Sequence, residues 1–193
     1  MRLIIAEKKS VGQAIAAAIG GRAEPGEGCL TLPGTIVTWA QGHLVELAEP
    51  GEYEDRTWDK WSMDDLPIDP DPDWLWTISR SKGAAGQYRT VARLIADPRV
   101  DLLVNACDPD REGEAIFRRI IHHARTGKPA MRLWVASLEP DAIRHALGSM
   151  RPERDYDGLA AAADIRAKAD WLVGMNASRA YTLTYDRRLP VGR

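Results

Sequence analysis

Cysteine is scarce in this chain of 193 residues. Cys29 and Cys107 are its only two, too few for a disulfide framework, and neither has a partner at metal-site spacing. The disulfide-stapled secreted class is excluded on that count, and a reducing cytoplasm is the expected setting. Long apolar runs are missing as well. The opening "MRLIIAEKKS" is apolar for only a few residues before its charges, which rules out a signal peptide. No later run approaches the roughly 20 apolar residues that a bilayer span needs, so no membrane partner is expected. An excess of one charge is also absent: the formal net charge is −2, which argues against a generic polyanion binder. The sequence contains neither an internal repeat nor a low-complexity tract.

What is present is an ordinary globular composition, 45% hydrophobic and 28% charged, with length enough for one full domain and a small appendage. Charge is distributed unevenly. The stretch "ELAEPGEYEDRTWDKWSMDDLPIDPDPDW" (46–74) is strongly acidic, whereas the tail carries Arg151, Arg154, Arg166, Lys168, Arg179, Arg187, Arg188 and Arg193 against fewer acids. Any nucleic-acid contact is therefore expected toward the tail.

Along the chain, "RLIIAE" (2–7) reads as a short buried strand. "SVGQAIAAAIGG" (10–21) reads as a helix with Ser10 as N-cap and Gly20–Gly21 as its end. The β-rich runs around Pro33–Gly34 in 29–42 predict a hairpin. The acidic stretch is a long excursion pinned by Trp58, Trp61, Trp74 and Trp76. A helix over 87–98 is followed by strand 100–107, helix 111–125, strand 131–136 and helix 139–149. Strands alternating with helices imply βαβ units, hence an α/β fold with a mainly parallel sheet flanked by helices. From Asp157 to about Thr182 the sequence turns Ala-rich and helical. That change of character sets the expected domains at 1–150 and 151–193, the second being the beginning of a helical domain.

Two of these strands end in charge. Strand 2–6 runs into Glu7–Lys8, and 100–107 runs into "DPDREGEA", which carries Asp108, Asp110 and Glu112. In a parallel α/β sheet, ligands bind outside the carboxyl ends of strands. With both strands near the sheet centre, Glu7, Asp108, Asp110 and Glu112 converge. Carboxylates so placed repel one another unless a cation intervenes. Mg²⁺ suits them: it takes oxygen ligands and is held by one or two carboxylates plus substrate phosphate. Glu112 also lies in the first helical turn, where the dipole favours an anion. An EF-hand is excluded because position twelve of that loop would be Arg119 instead of Glu, and because a strand precedes it. Simple capping of the next helix explains a lone Asp, but not three spaced acids facing a second strand that ends in Glu-Lys.

These residues carry a resemblance. "IIAEKKSVGQAIAAAIG", "TWAQGHLVELAEP", "KWSMDDLPI", "DPDREGEAI" and "RAKADWLVGMNASRAYT" resemble, in order, the N-terminal part of type IA DNA topoisomerases, most closely the topoisomerase III branch. The likeness covers essentially the whole chain, and the ending "LPVGR" is similar to the opening of the family's "SVGRVQTP". D-x-D-x-E-G-E with an N-terminal Glu-Lys is the signature of a Toprim domain, a Rossmann-like α/β fold. What the resemblance implies is a magnesium-dependent enzyme that cuts one DNA strand by transesterification, passes another through the gap and reseals it. Glu7 and Lys8 would be catalytic, with Glu7 moving a proton at the leaving 3′ oxygen and Lys8 stabilising phosphate charge. Glu7, Asp108 and Asp110 would hold Mg²⁺, and Glu112 would complete the cluster. Single-stranded DNA is the implied partner. Trp61 and Trp171 match aromatic positions suited to stacking on a base. Arg179 and Arg193 match arginines that touch the strand, and Arg187 is a looser match. Lys9 stands where the family commonly has proline. His43, in "QGHL", fits the family context and also fits a structural role.

The family reaction needs a tyrosine nucleophile, which in those enzymes lies far downstream. Tyr185 in "LTYDRR" has a superficially similar context but sits where the family has a linker. The chain is therefore expected to be inactive alone, with the remaining topoisomerase domains as its partners. Two other readings stay open: a stand-alone metal-dependent nuclease, in which the site activates water, and a non-catalytic DNA- or protein-binding module.

Overall fold

A computed structural model describes residues 1–54 and 58–192. The chain forms two compact units. The first comprises Met1–Val45 and Ile78–Ala163, the second Glu46–Thr77 and Asp164–Arg193.

The first unit is built on a seven-stranded sheet. Its strands are β1 (Arg2–Ala6), β2 (Glu24–Gly26), β3 (Cys29–Leu32), β4 (Thr35–Trp39), β7 (Leu102–Ala106), β8 (Ala130–Arg132) and β9 (Arg151–Pro152). They lie in the order β2-β3-β4-β1-β7-β8-β9. The central strands β4, β1, β7 and β8 are parallel, and the outer pairings are antiparallel. The predicted hairpin is β3–β4, with Leu32 opposite Thr35 across Pro33–Gly34. Strands β5 (Val45–Leu47) and β6 (Trp76–Ile78) pair as a separate ribbon.

Helices cover the sheet. They are α1 (Lys9–Ile19), α2 (Ala84–Ala96), α3 (Arg111–His123) and α4 (Pro140–Gly148). α1 packs with α4, and α2 with α3. Because both faces are covered, β1 is apolar at every position from Leu3 to Ala6, each fully buried, as a central parallel strand requires. Ile4 and Val104 pack with Ile15, Val37, Leu133 and Ile143 in one core. The α1 N-cap is Lys8 in extended conformation, without a side-chain capping bond. Ser10 lies inside the helix, two residues past the N-cap position.

The topology decides where chemistry can occur. From β1 the chain passes through α1 and the hairpin to β4 on one side, then crosses through α2 to β7 on the other side. The direction of winding thus reverses between β1 and β7. The carboxyl ends of these neighbours, with Ala6 beside Ala106, form the crevice at which open α/β sheets receive ligands.

The second unit is organised by α5 (Asp157–Tyr185) from Asp164 onward. Its core gathers Leu47, Ala48, Tyr53, Trp58, Ile68 and Trp171, with Leu66, Trp74, Trp76, Ala167, Leu172 and Met175 packed against them. The Asn176 amide fastens the excursion to the helix, accepting from Ile68 N (2.6 Å) and donating to Ile68 O (2.9 Å). Among the described residues, no helix is long and apolar enough to cross a membrane.

Candidate functional site

At the β1/β7 crevice, Lys8 bridges two carboxylates from different strands. Its ammonium lies 2.7 Å from Asp108 Oδ2 and 3.4 Å from Glu7 Oε1. Glu7 Oε2 also accepts the Asp108 N–H at 3.4 Å. The group is wet: the Lys8 side chain is 57% exposed and that of Asp108 34%. The Asp108 hydrogen bond, reinforced by the charges of Glu7 and Asp108, raises the Lys8 pKa, so its charge is secure at neutral pH. An exposed Lys held by two acids from adjacent strands contributes little to stability.

The other two predicted metal carboxylates go elsewhere. Asp110 is the N-cap of α3, and its Oδ1 accepts the Gly113 N–H at 2.8 Å. The capping explanation, set aside for the three acids together, thus holds for this one: an orphan donor in the first turn claims the nearest short acid. Glu112 pairs with Arg111 Nε at 3.7 Å and His43 Nε2 at 3.9 Å. Among the described residues, no three His, Cys, Asp or Glu side chains converge as a cation-holding group. The predicted quartet therefore does not share one centre in this structure, whose cluster is Glu7, Lys8 and Asp108.

Gly113 sets the tightness of the strand-to-helix turn. A Cβ there would lie 2.2 Å from the Asp108 carbonyl oxygen and 2.7 Å from its nitrogen, so only glycine lets α3 start against the Asp108 backbone. In the sequence, Gly113 is the glycine of the D-x-D-x-E-G-E signature. Its real signal was its place three residues after a capping Asp, directly behind a buried strand.

Beneath the crevice lies a second charged group, which the sequence reading did not identify. Asn105, Glu114 and Arg132 are each no more than 1% exposed, and Glu153 is 5% exposed. Asn105 Nδ2 donates to Glu114 Oε2 (3.0 Å) and Glu153 Oε1 (2.9 Å). Arg132 donates to the carbonyls of Cys107 (2.9 Å) and Asp108 (2.7 Å). Arg118 bonds Glu114 Oε1 at 2.9 Å and Glu153 Oε1 at 3.2 Å. Burial, together with the adjacent Glu153 carboxylate, pushes Glu114 up to about 8. No apolar periodicity marks these residues, and Glu153 is 48 positions from Asn105.

Residues 2–138 match the family model described as Toprim domain. The chain belongs to the Toprim family. Over 99% of its length, this Toprim chain is 40% identical to DNA topoisomerase 3 of Staphylococcus saprophyticus and 38% identical to that of Bacillus subtilis, covering 26% of each. All of it aligns with DNA topoisomerase 3 of Vibrio cholerae at 38% identity, covering 30% of that protein. The chain thus spans between a quarter and a third of the length of these relatives. Among solved structures, full-length topoisomerase I from Thermotoga maritima matches with a TM-score of 0.62 at 21% identity, over 93% of this chain and 26% of that one. That likeness shows the fold. The likeness to type IA topoisomerases, and to their topoisomerase III branch, holds over the whole Toprim chain.

The positions carried over from the topoisomerases behave differently from one another. Trp61 is 45% exposed, with the Arg179 guanidinium 5.3 Å from its ring centroid. Trp171 is 2% exposed. Its Nε1 donates to Ala48 O at 2.9 Å, and its ring meets Tyr53 and Trp74 edge-on. It is a core residue with no face left for a base, and the implied stacking role does not fit it. Arg179 is 3% exposed and donates to Trp58 O at 2.6 Å, and burial lowers its pKa. Arg187 is exposed after the end of α5. Arg193 lies outside the described residues. Lys9 sits over Trp39, 5.7 Å from the ring centroid, and Tyr185 stacks on Tyr181 at 6.2 Å.

Proposed function

We propose that this chain is the cation- and phosphodiester-handling portion of a type IA DNA topoisomerase of the topoisomerase 3 kind, acting on single-stranded segments of DNA in the cytoplasm. The observation that carries this reading is Lys8, bridging Glu7 and Asp108 at the β1/β7 crevice. One positive charge already sits between two acids of adjacent strands, and the donors are all carboxylate oxygens, the chemistry of a hard divalent cation. Glu7 and Asp108 would hold Mg²⁺, with Asp110 at the rim. When bound, the cation supplies charge neutralisation to a phosphate entering the crevice.

The chain's own residues handle phosphate charge, the proton and the strand. The Lys8 ammonium opposes the charge that grows on the phosphate oxygens in the transition state. The Glu7 carboxylate accepts or returns the proton at the departing 3′ oxygen, within reach of the strand end that holds it. Trp61 offers an exposed indole for an unpaired base. Arg187 and Arg193 contribute phosphate contacts. The tyrosine nucleophile comes from the remainder of the enzyme, so this chain alone leaves DNA intact.

Incubating the purified chain with supercoiled and single-stranded DNA and Mg²⁺ tests this. The expected result is binding of single strands with neither nicking nor relaxation. Nicking that disappears in Asp108→Ala would replace the proposal with a metal-dependent nuclease, and relaxation without added domains would make Tyr185 the nucleophile to examine.

A further inference from the structure

The Asn105 side chain joins Arg132, Glu114 and Glu153 of the buried network to the Cys107 N–H, next to Asp108. It lies on β7, fully buried. Its Oδ1 accepts from Arg132 Nη1 at 2.9 Å and from the Cys107 N–H at 3.1 Å. Its Nδ2 donates to Glu114 and Glu153 at 3.0 and 2.9 Å. All four hydrogen-bonding positions of the amide are filled. The polarity is matched too, with both donors facing carboxylates and the acceptor facing a guanidinium.

The effect converges on a single turn. Arg132, oriented by Asn105, donates to the carbonyls of Cys107 and Asp108, while the Asp110 N–H reaches Asp108 O at 2.8 Å. On its far side, that backbone is pressed against Gly113. We infer that Asn105 is a positioning residue, whose amide fixes the Cys107–Asp108 backbone and thereby aims the Asp108 carboxylate at Lys8 and at a ligand in the crevice. Glu153 is the remote brace of this arrangement, since it fills one Asn105 donor from a turn 48 residues away. This rests on the reading of Glu7, Lys8 and Asp108 as the site. Neither Asn105 nor Glu153 touches the ligand.

A purely structural amide would destabilise the whole unit when removed, without singling out Asp108. Hydrogen exchange on the purified chain separates the two roles. The Asp108 N–H, bonded to Glu7, reports the site, and the Leu103 N–H, bonded to Pro129 O at 3.0 Å on the same strand, is the reference. In Asn105→Leu, the ratio of Asp108 to Leu103 exchange should rise about tenfold, as expected for loss of a restraining bond near one amide. Ile143→Ala opens a cavity in the same unit's core, where Ile143 is fully buried, and should leave the ratio unchanged. An unchanged ratio in folded Asn105→Leu overturns the inference, as does an equal rise in Ile143→Ala. Should Asn105→Leu not fold, Glu153→Ala must raise the same ratio, and a flat response there overturns the inference equally. Mn²⁺ binding, followed by the resonance of the free ion, should weaken several-fold in the variant. Absence of Mn²⁺ binding in the parent chain would contradict the cation reading of the crevice, while the exchange ratio still decides the role of Asn105.

Discussion

Two charged clusters share the end of strand β7, and they differ in water. Glu7, Lys8 and Asp108 lie at the crevice with the Lys8 side chain 57% exposed. Arg132 and Glu114, one layer below, have side chains that are 0% exposed. In the wet cluster, an ion pair is worth little because solvent competes for each charge, so its members are free to exchange partners with a ligand. In the dry cluster, every unpaired charge would be costly, so the same residue types become fixed braces. The pattern of charge alone does not separate a site from its scaffold. Hydration does.

The comparison breaks most visibly at Arg132. Arg132→Met removes the ion pair to Glu114 and the donor to the Asn105 side chain and to the carbonyls of Asn105, Cys107 and Asp108, and should cost about 3–5 kcal/mol, measured by denaturant unfolding. A cost below about 1 kcal/mol would place water in the layer described as dry. The second unit offers the same contrast in aromatic residues. Trp171→Ala should cost about 3–5 kcal/mol, and Trp61→Ala should stay within about 1 kcal/mol while weakening single-strand binding. Comparable losses for both would remove the distinction between core and surface tryptophan.

A smaller effect is expected from proton linkage. Glu114, raised to about 8 from an ordinary 4.5, keeps its proton in the folded state after the unfolded chain has lost it. The folded state then binds more protons between these values, so this contribution is full below about 4.5 and is lost as pH rises toward about 8. Glu114→Gln should flatten that slope in unfolding free energy between pH 5 and 8, by about 1–3 kcal/mol over the window. A slope unchanged by the substitution would assign the pH dependence to other groups.

Much of the first unit was legible in the sequence, because its signals are local. Apolar runs that end abruptly in charge mark the carboxyl ends of β1 and β7, and turn chemistry at Pro33–Gly34 marks the hairpin. Glu7, Lys8 and Asp108 follow from those strand ends once β1 and β7 are neighbours. Asp110 was harder, since a carboxylate after a strand can serve a cation or a helix terminus with the same residue type, and here its Oδ1 caps α3 through the Gly113 N–H. The buried network was illegible for a different reason. Asn105, Arg132 and Glu153 are polar residues whose burial depends on partners 9 to 48 positions away, and no periodicity reports such pairing. Trp171 shows the same limit: an amphipathic helix does not reveal that Ala48, Tyr53 and Trp74 cover it.

The central claim is that the crevice cluster exists to meet a cation and a phosphate instead of to stabilise the fold. The melting temperature of the chain with and without Mg²⁺, in the parent and in Asp108→Asn, tests it most directly. The account predicts that Asp108→Asn changes the metal-free stability by less than about 1 kcal/mol, that Mg²⁺ raises the melting temperature of the parent, and that this rise vanishes in the variant. A Mg²⁺-dependent rise that survives in Asp108→Asn, or a variant that unfolds without it, would contradict the account.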